Sequence, residues 1–347
     1  MPDTQLPLAF SDTDTSLPAP ARALTRPPAR KPSVGKARRP APVTGPAPDL
    51  PAIARLLEQH PDYRVLRRLQ PLLHYPGTPS GETRRVLVLD TETTGLDHRQ
   101  DKIIELAILC LEVDLASGLP VGAVSVYDGL EDPGRPLSEE VRLITGLSDD
   151  KLQGQRLDDA RVAGLLAGAD LVLAHNAAFD RPFCEARYPG FAAIDWACSL
   201  SDIDWKKEGR GSGKLEHLAL HQGVFYQAHR AEIDCHALLA VLCATLASDG
   251  QTGLARLLAA GATPSYRLLA TQAPFEAKDA LKARGYRWDT ERRVWHTRLS
   301  DQAQLEAECA WLKAHVFAGK QARVNLEKLD ARLKYSGRPG ALSERQL

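Results

Sequence analysis

The sequence predicts an α/β fold in which helices flank a mixed sheet, followed by a small C-terminal α+β domain. Three apolar, strand-like runs come first, and they begin near Val86, Lys102 and Val121. Helical and strand-like segments then alternate as far as Leu246, an order typical of α/β domains. A stretch of small residues and proline at 261–265 separates this part from a shorter βαββα pattern.

Each helix is predicted from apolar positions at helical spacing, and each strand from a short apolar run. In the main domain the predicted helices are 137–144, 157–166, 179–187, 213–221 and 230–246, with a further strand at 170–174. A short helix at 253–260 precedes the C-terminal unit. That unit is predicted as strand, helix, hairpin and helix, at 266–270, 275–284, 286–298 and 304–317.

Composition divides the chain into five parts. Residues 1–49 are rich in proline, alanine and arginine, and they cannot bury enough apolar surface to offset the entropy of ordering, so a disordered tail is predicted. Residues 50–82 predict two short helices that dock on the main domain, which runs over 83–249. The C-terminal domain is assigned to 250–320, and 321–347 to a frayed basic tail.

Bulk composition excludes several classes of protein. The 44 basic and 44 acidic residues balance, so any attraction to nucleic acid must come from local patches. None of the six cysteines forms a CxxC pair, which argues against a zinc ribbon or a disulfide framework. No apolar run approaches the roughly 18 residues that span a bilayer, and the N-terminus lacks the apolar core of a signal peptide. We therefore expect a soluble cytoplasmic protein with no membrane contact.

Two carboxylates, Asp90 and Glu92, stand at the end of the first predicted strand. Side chains two apart on a strand point to the same side, so these acids project into one small volume. Burying two like charges without a counter-charge costs on the order of several kcal/mol. A divalent cation offsets that cost, and hard oxygen ligands suit Mg²⁺ or Mn²⁺. From this stretch alone, a solvated strand end remains the alternative.

Two further clusters of polar residues follow, at 175–180 and 229–234. Each member has an ordinary explanation when taken singly. Asp180 suits the first turn of a helix because of the helix dipole, Asp234 could be a surface acid, and His229 could be a capping residue. The conjunction of these residues with the two acids of the first strand is what indicates a site.

The three clusters resemble, in order, the three motifs of the DnaQ-like (DEDDh-type) exonucleases, the family of the proofreading ε subunit of bacterial DNA polymerase III. The matching motifs are 90–96, 175–180 and 229–234, with a histidine five residues before the last acid. The resemblance covers about 85–246 and implies a ribonuclease-H-like fold. It departs at 144–147, where many members carry His-Gly, and this puts a substrate contact in doubt.

The resemblance implies a two-metal site and a general base. Two Mg²⁺ or Mn²⁺ ions are expected on Asp90, Glu92, Asp180 and Asp234, and His229 is expected to deprotonate the attacking water. The implied reaction is 3′–5′ exonucleolytic hydrolysis that releases nucleoside 5′-monophosphates from DNA 3′ ends, in repair, replication or proofreading. The same acids do not distinguish DNA from RNA, so a 3′–5′ exoribonuclease is an alternative. A non-catalytic scaffold that binds nucleic acid and a clamp is another.

Five further residues are expected at the substrate. The backbone amides of Thr93 and Gly95 are placed against the terminal nucleotide. Leu96 and Phe179 are expected to wedge or stack its base, a contact that tolerates any sequence. His175 is expected to contact substrate or to brace the second motif.

Two features outside the main domain indicate partners. The hexapeptide containing Gln5, Leu8 and Phe10 resembles the peptide by which bacterial DNA polymerases and repair proteins bind the sliding clamp, although two incidental apolar residues are the alternative. In the C-terminal unit, aromatic residues alternate with basic ones around Trp288 and Trp295. That pattern predicts either a nucleic-acid platform or the large residues that fill a small core.

Overall fold

The structure is a computed structural model that describes residues 49–347. The predicted disordered tail up to residue 48, including Gln5, Leu8 and Phe10, lies outside the described residues. The described part begins with one helix and two short strands, which are α1 (Leu50–Glu58), β1 (Arg67–Arg68) and β2 (His74–Tyr75). None of the helices within residues 49–347 is both long and apolar enough to cross a bilayer.

A mixed sheet with helices on both sides forms the main part of the chain. Its elements, in order, are β3 (Thr83–Thr93), β4 (Ile103–Asp114), β5 (Leu119–Leu130), α2 (Glu139–Thr145), α3 (Asp149–Leu152), α4 (Asp159–Leu166), β6 (Leu171–Ala174), α5 (Ala177–Arg187), β7 (Asp195–Cys198), α6 (Leu215–His221), β8 (Val224–Phe225) and α7 (Ala231–Cys243). The six-stranded sheet has the order β2-β5-β4-β3-β6-β7. The β3–β6 and β6–β7 pairs are parallel, and the others are antiparallel. The predicted fold class is confirmed.

Strand β3 is central in this sheet, and helices cover both of its sides. Val86 and Val88 pack in the core that includes α7, whereas Leu87 and Leu89 pack in the core that includes α5. All four side chains are fully buried. A strand buried on both sides needs apolar residues at every position, which explains the continuous run rather than an alternating one.

The C-terminal unit, within residues 253–347, consists of a second sheet and three α-helices. Its elements are α8 (Gly253–Ala262), β9 (Ser265–Ala270), α9 (Lys278–Ala283), β10 (Arg287–Asp289), β11 (Val294–Leu299), α10 (Gln302–Trp311), β12 (Arg323–Leu329) and β13 (Ala341–Gln346). The five strands lie in the order β10-β11-β9-β12-β13, and every pair is antiparallel. The predicted βαββα order is present, and two strands extend it.

Three expectations differ from the structure. The predicted basic tail instead supplies β12 and β13, because β12 pairs along β9, which would otherwise be an open edge. The second lead-in helix, predicted near residues 63–69, is absent from the described structure: Arg67 and Arg68 pair with β8, so strand pairing overrides the helical spacing. Helix α8 packs Leu254 and Leu257 into the same core as α7, so that core extends past the expected boundary at 249.

Candidate active site

The end of strand β3 presents acids to one side and threonines to the other. Asp90 and Glu92 continue the side on which Val86 and Val88 meet the core of α7. Thr91 lies on the opposite side, and its hydroxyl donates a hydrogen bond to the Asp180 carboxylate at 2.8 Å. Strand alternation therefore directs the two acids toward α7, which contributes Asp234.

The four predicted acids line one cleft, and three of them form a tight cluster. One carboxylate oxygen each from Asp90, Glu92 and Asp234 lies within 4.8 Å of the others. Asp180, from the first turn of α5, is outside this trio but lines the same cleft and is almost fully buried. The structure thus brings together acids that are as many as 144 residues apart in the sequence.

The cluster strongly favours neutral carboxyl groups in the metal-free chain. Burial, and then the charges of Asp180, Asp234 and Glu92, raise the pKa of Asp90 well above its ordinary value. Burial is the main cause that raises the pKa of Glu92 to about 8 and that of Asp180 to about 7. These raised pKa values indicate that the negative charge of the clustered carboxylates, once they are ionised, is not fully offset. A set of hard carboxylate oxygens in this condition fits a divalent cation such as Mg²⁺ or Mn²⁺.

Asp234 is held by two neighbours that the sequence did not single out. The Tyr226 hydroxyl donates to one of its carboxylate oxygens at 3.0 Å, and the backbone N–H of Arg230 donates to the other at 3.1 Å. Burial raises the pKa of Asp234, and these hydrogen bonds oppose that shift. Tyr226 stands in a loop eight residues before Asp234, where no spacing rule points to it.

His229 lines the same cleft, immediately before helix α7. Its φ is 66°, in the left-handed region that costs a non-glycine residue roughly 1–2 kcal/mol. The next residue, Arg230, donates two hydrogen bonds to the fully buried Glu105, at 3.0 Å from Nε and 2.8 Å from Nη2. This ion pair fixes the chain beside His229 and so supports its strained backbone.

Three of the five expected substrate contacts line the cleft. Leu96 is 87% exposed at its edge, and Phe179 packs on Phe183 with ring centres 5.1 Å apart. His175 also lines the cleft, and its Nδ1 lies 2.7 Å from the Ser199 hydroxyl. Burial lowers the pKa of His175 to about 4, so its ring is neutral at pH 7. These contacts favour a bracing role for His175.

Thr93 and Gly95 lie behind the cleft lining and shape the turn that exposes Leu96. The Thr93 hydroxyl donates to the Gly95 carbonyl at 2.6 Å. A Cβ at Gly95 would come within 2.5 Å of the Asp101 carboxylate, so a side chain there would force Asp101 to move. Arg135 pins the same loop, because its Nη2 lies 2.7 Å from Asp101.

Comparisons with known proteins match the main domain. The family model RNase_T, described as Exonuclease, matches residues 87–242. The PolC-type DNA polymerase III of Bacillus subtilis is 34% identical over 118 residues, which is 33% of this chain and 8% of that protein. The enzyme of the same name from Staphylococcus saprophyticus is 32% identical over 181 residues, or 48% of this chain and 12% of that protein. The chain therefore spans about a tenth of the length of these relatives.

Solved structures give a weaker likeness. The structure titled Exonuclease X in complex with 5′ overhanging duplex DNA is 21% identical, with 49% of this chain and 99% of that chain covered, at a TM-score of 0.34. The zinc-bound complex of E. coli ExoI with single-stranded DNA is 19% identical, with 53% and 48% covered, at a TM-score of 0.39. At these TM-scores the two structures add nothing to the sequence matches.

Proposed function

We propose that the chain, whose residues 87–242 match the exonuclease family model, is a DnaQ-like exonuclease that removes nucleotides from the 3′ ends of DNA in a reaction that requires a divalent metal. The observation that supports the proposal is the trio of Asp90, Glu92 and Asp234, whose carboxylate oxygens lie within 4.8 Å of one another. Surface acids are normally solvated and far apart. A partly buried trio whose carboxylate oxygens lie this close together is typical of a cation site.

We assign the cation ligands to Asp90, Glu92, Asp180 and Asp234. Two Mg²⁺ or Mn²⁺ ions held by these residues would neutralise charge at the phosphate and acidify the attacking water. The residues around the ligands fix their orientation before any ion arrives. Thr91 holds Asp180 through its hydroxyl, and the Tyr226 hydroxyl and the Arg230 backbone hold the two oxygens of Asp234.

We assign the general base to His229. It lines the cleft with the four acids, and an imidazole is suited to accept a proton from water near neutral pH. Its backbone is anchored through Arg230 and Glu105, so the ring starts from a fixed position. Proton transfer from the attacking water to this ring is the chemical step that the chain itself performs.

We place the terminal nucleotide between Leu96 and Phe179. Both side chains line the cleft, and neither offers a hydrogen bond that would select one base. Such a pair accepts an unpaired base of any identity, which favours a single-stranded 3′ end in repair or proofreading. The four acids would act on the phosphate through the cations and do not read the sugar, so RNA is the rival substrate that the test must include.

The test is digestion of matched DNA and RNA oligonucleotides labelled at the 5′ end, in Mg²⁺, in Mn²⁺ and in chelator. We expect stepwise shortening of the DNA from its 3′ end, release of nucleoside 5′-monophosphates, and no activity in chelator. Asp90→Asn should remove activity, whereas Asp62→Asn, a change at a well-exposed acid, should not. Faster digestion of RNA would transfer the proposal to an exoribonuclease. Full activity of Asp90→Asn would refute the site assignment.

A further inference from the structure

Two large aromatic side chains remain exposed in the C-terminal unit. Tyr286 is buried and Trp295 is partly buried, so both serve the core of that unit. Phe275 is 75% exposed and Trp288 is 47% exposed. The structure therefore separates the aromatic residues that fill the core from those that do not.

Trp288 stands on strand β10, at the end of the five-stranded sheet. It pairs across the hairpin with Trp295, with ring centres 5.5 Å apart and planes at 62°. Because cross-strand partners share one side of a sheet, Trp295 packs against Trp288, and 47% of Trp288 remains exposed. A rigid, supported indole at a sheet edge is suited to stacking against a flat ligand.

Cations surround these aromatic side chains. Residues 278–298 include seven basic and three acidic residues, in a chain whose overall charge is zero. The Lys278 ammonium lies 4.4 Å from the centre of the Phe275 ring. Arg284 and Arg292 are paired with Glu308 and Glu327. The other five form no ion pair within residues 49–347, namely Lys278, Lys282, Arg287, Arg293 and Arg298, and the Arg298 guanidinium lies over the Tyr335 ring.

Phe275 and two lysines follow one another at helical spacing. Phe275 begins the short 3-10 helix Phe275–Ala277, which runs into α9, and Lys278 and Lys282 lie in α9, whereas Ala277 and Leu281 are buried in the core. Trp288 follows on β10, and Arg293 precedes β11. Arg287, the residue before Trp288 on the same strand, points to the opposite side of the sheet. We call the five residues Phe275, Lys278, Lys282, Trp288 and Arg293 the aromatic–basic surface.

We propose that the aromatic–basic surface binds a single-stranded polynucleotide, namely the part of the substrate strand upstream of its 3′ end. Unpaired bases stack on exposed aromatic rings whatever their sequence, and unpaired cations attract the phosphates. A protein partner would find little apolar area here, because cations separate the two rings. The inference rests on the proposed nuclease function in identifying the bound strand as the substrate. Binding itself is inferred from the aromatic–basic surface alone.

A second groove adjoins the catalytic cleft. Leu200 lines both the cleft and this groove, which Ser300, Asp301 and Gln304 also line. Ser300 directly follows β11, and Trp295 lies five residues before it on that strand. Five residues of strand span about 17 Å, which is the distance along β11 from the groove to the tryptophan pair.

The test measures binding and catalysis separately. Binding of fluorescein-labelled oligothymidylate of about 20 nucleotides is followed by anisotropy in chelator, where no hydrolysis takes place. We expect Phe275→Ala/Trp288→Ala to weaken binding at least about fivefold, the lower end of the effect of one base–aromatic stack. Trp288→Phe should restore most of the affinity lost with Trp288→Ala. Removing Lys282 and Arg293 should lower the salt dependence of binding by about 0.7 per cation.

Matched controls make the result specific. Tyr63→Ala removes an aromatic side chain that is 58% exposed and lies outside the C-terminal unit, and it should leave binding unchanged. Hydrolysis of the p-nitrophenyl ester of thymidine 5′-monophosphate, which occupies only the cleft, should be the same for Phe275→Ala/Trp288→Ala and wild type. Equal affinity of that variant and wild type for the long oligonucleotide overturns the inference while leaving the nuclease proposal intact. Surface-dependent binding without any hydrolysis supports the inference and rejects the nuclease.

Discussion

Arg230 and Glu105 form a two-point ion pair at the start of the helix that contributes Asp234. The guanidinium donates from Nε and Nη2, and the carboxylate it meets has no exposed surface. The backbone N–H of Ala231 donates to the same carboxylate at 3.3 Å. Glu105 thus holds the Arg230 side chain and the first backbone N–H of helix α7, and so connects strand β4 with that helix.

Arg230→Ala should lower both stability and turnover. Glu105 would lose its counter-charge, and we expect a loss of about 2–3 kcal/mol in the free energy of unfolding, below the range for fully buried pairs because Arg230 is partly exposed. The catalytic constant should fall with little change in KM, because the backbone of His229 loses its anchor. Glu105→Gln/Arg230→Ala should regain stability but not turnover. Arg67→Ala, in an exposed pair with Glu58, is the control and should cost less than about 1 kcal/mol.

His229→Gln should reduce turnover without removing the cations. General-base catalysis is worth roughly 10²- to 10⁴-fold, so we expect a loss in the catalytic constant within that range. Mn²⁺ affinity, measured by calorimetry, should stay close to that of wild type because the four acids are intact. His217→Gln changes an exposed histidine on α6 and should have no effect. Loss of Mn²⁺ binding in His229→Gln would instead make this residue a ligand.

Stability of the metal-free protein should fall as pH rises. Folding raises the pKa of Glu92 from 4.5 to about 8 and that of Asp180 from 3.8 to about 7. Between these values the folded chain holds more protons than the unfolded chain, so raising the pH favours unfolding. The stabilising contribution is complete below about pH 4 and is lost as pH passes about 8.

Thermal melts in chelator and in Mn²⁺ test this pH dependence. The melting temperature in chelator should decline from about pH 5 to about pH 8.5, and Mn²⁺ should raise it more at the higher pH. Glu92→Gln should flatten the decline because its amide does not titrate. An equal effect of Mn²⁺ at both pH values would contradict the assigned cluster.

The C-terminal segment should be required for the stability of the main domain. The buried Arg181 guanidinium donates to the carbonyls of Ala331 at 3.1 Å and Lys334 at 2.6 Å, and the hydroxyl of the buried Tyr335 donates to Asp202 at 2.6 Å. Tyr335→Phe removes one of these bonds and should cost about 1–2 kcal/mol of unfolding free energy. Tyr63→Phe, at an exposed tyrosine, should cost nothing measurable. Deletion of residues 323–347 should give an exonuclease domain that does not fold stably.

The N-terminal peptide remains a prediction from sequence alone. If Gln5, Leu8 and Phe10 bind a bacterial sliding clamp, immobilised clamp should retain the full chain and release Leu8→Ala/Phe10→Ala. Nuclease activity on free oligonucleotides should be equal for the two proteins, because the changes lie far from the acids in sequence. Equal retention on the clamp would remove this partner from the proposal.

That the four acids line one cleft was predictable because each stands near the end of a strongly patterned element. A strand that is apolar on both sides is unmistakable in sequence, and strand alternation alone places Asp90 and Glu92 together. The residues that orient the acids were not predictable, since Thr91 and Tyr226 act through contacts across 89 and 8 residues that follow no fixed spacing. Strands β12 and β13 escaped detection for a similar reason: their burial depends on a partner strand, β9, and on the segment that contacts Arg181.

Asp180 and Arg181 are consecutive residues on α5, and they face different partners. Asp180 lines the catalytic cleft, while Arg181 holds the segment between β12 and β13. A cation that fixes Asp180 also fixes the helical turn to which that segment is attached. Because coupling between two sites is reciprocal, Mn²⁺ should slow amide hydrogen exchange in residues 331–335, and weakening that attachment should loosen Mn²⁺ binding by the same factor. Amide exchange in the segment between β12 and β13 would then show whether the cleft holds cations.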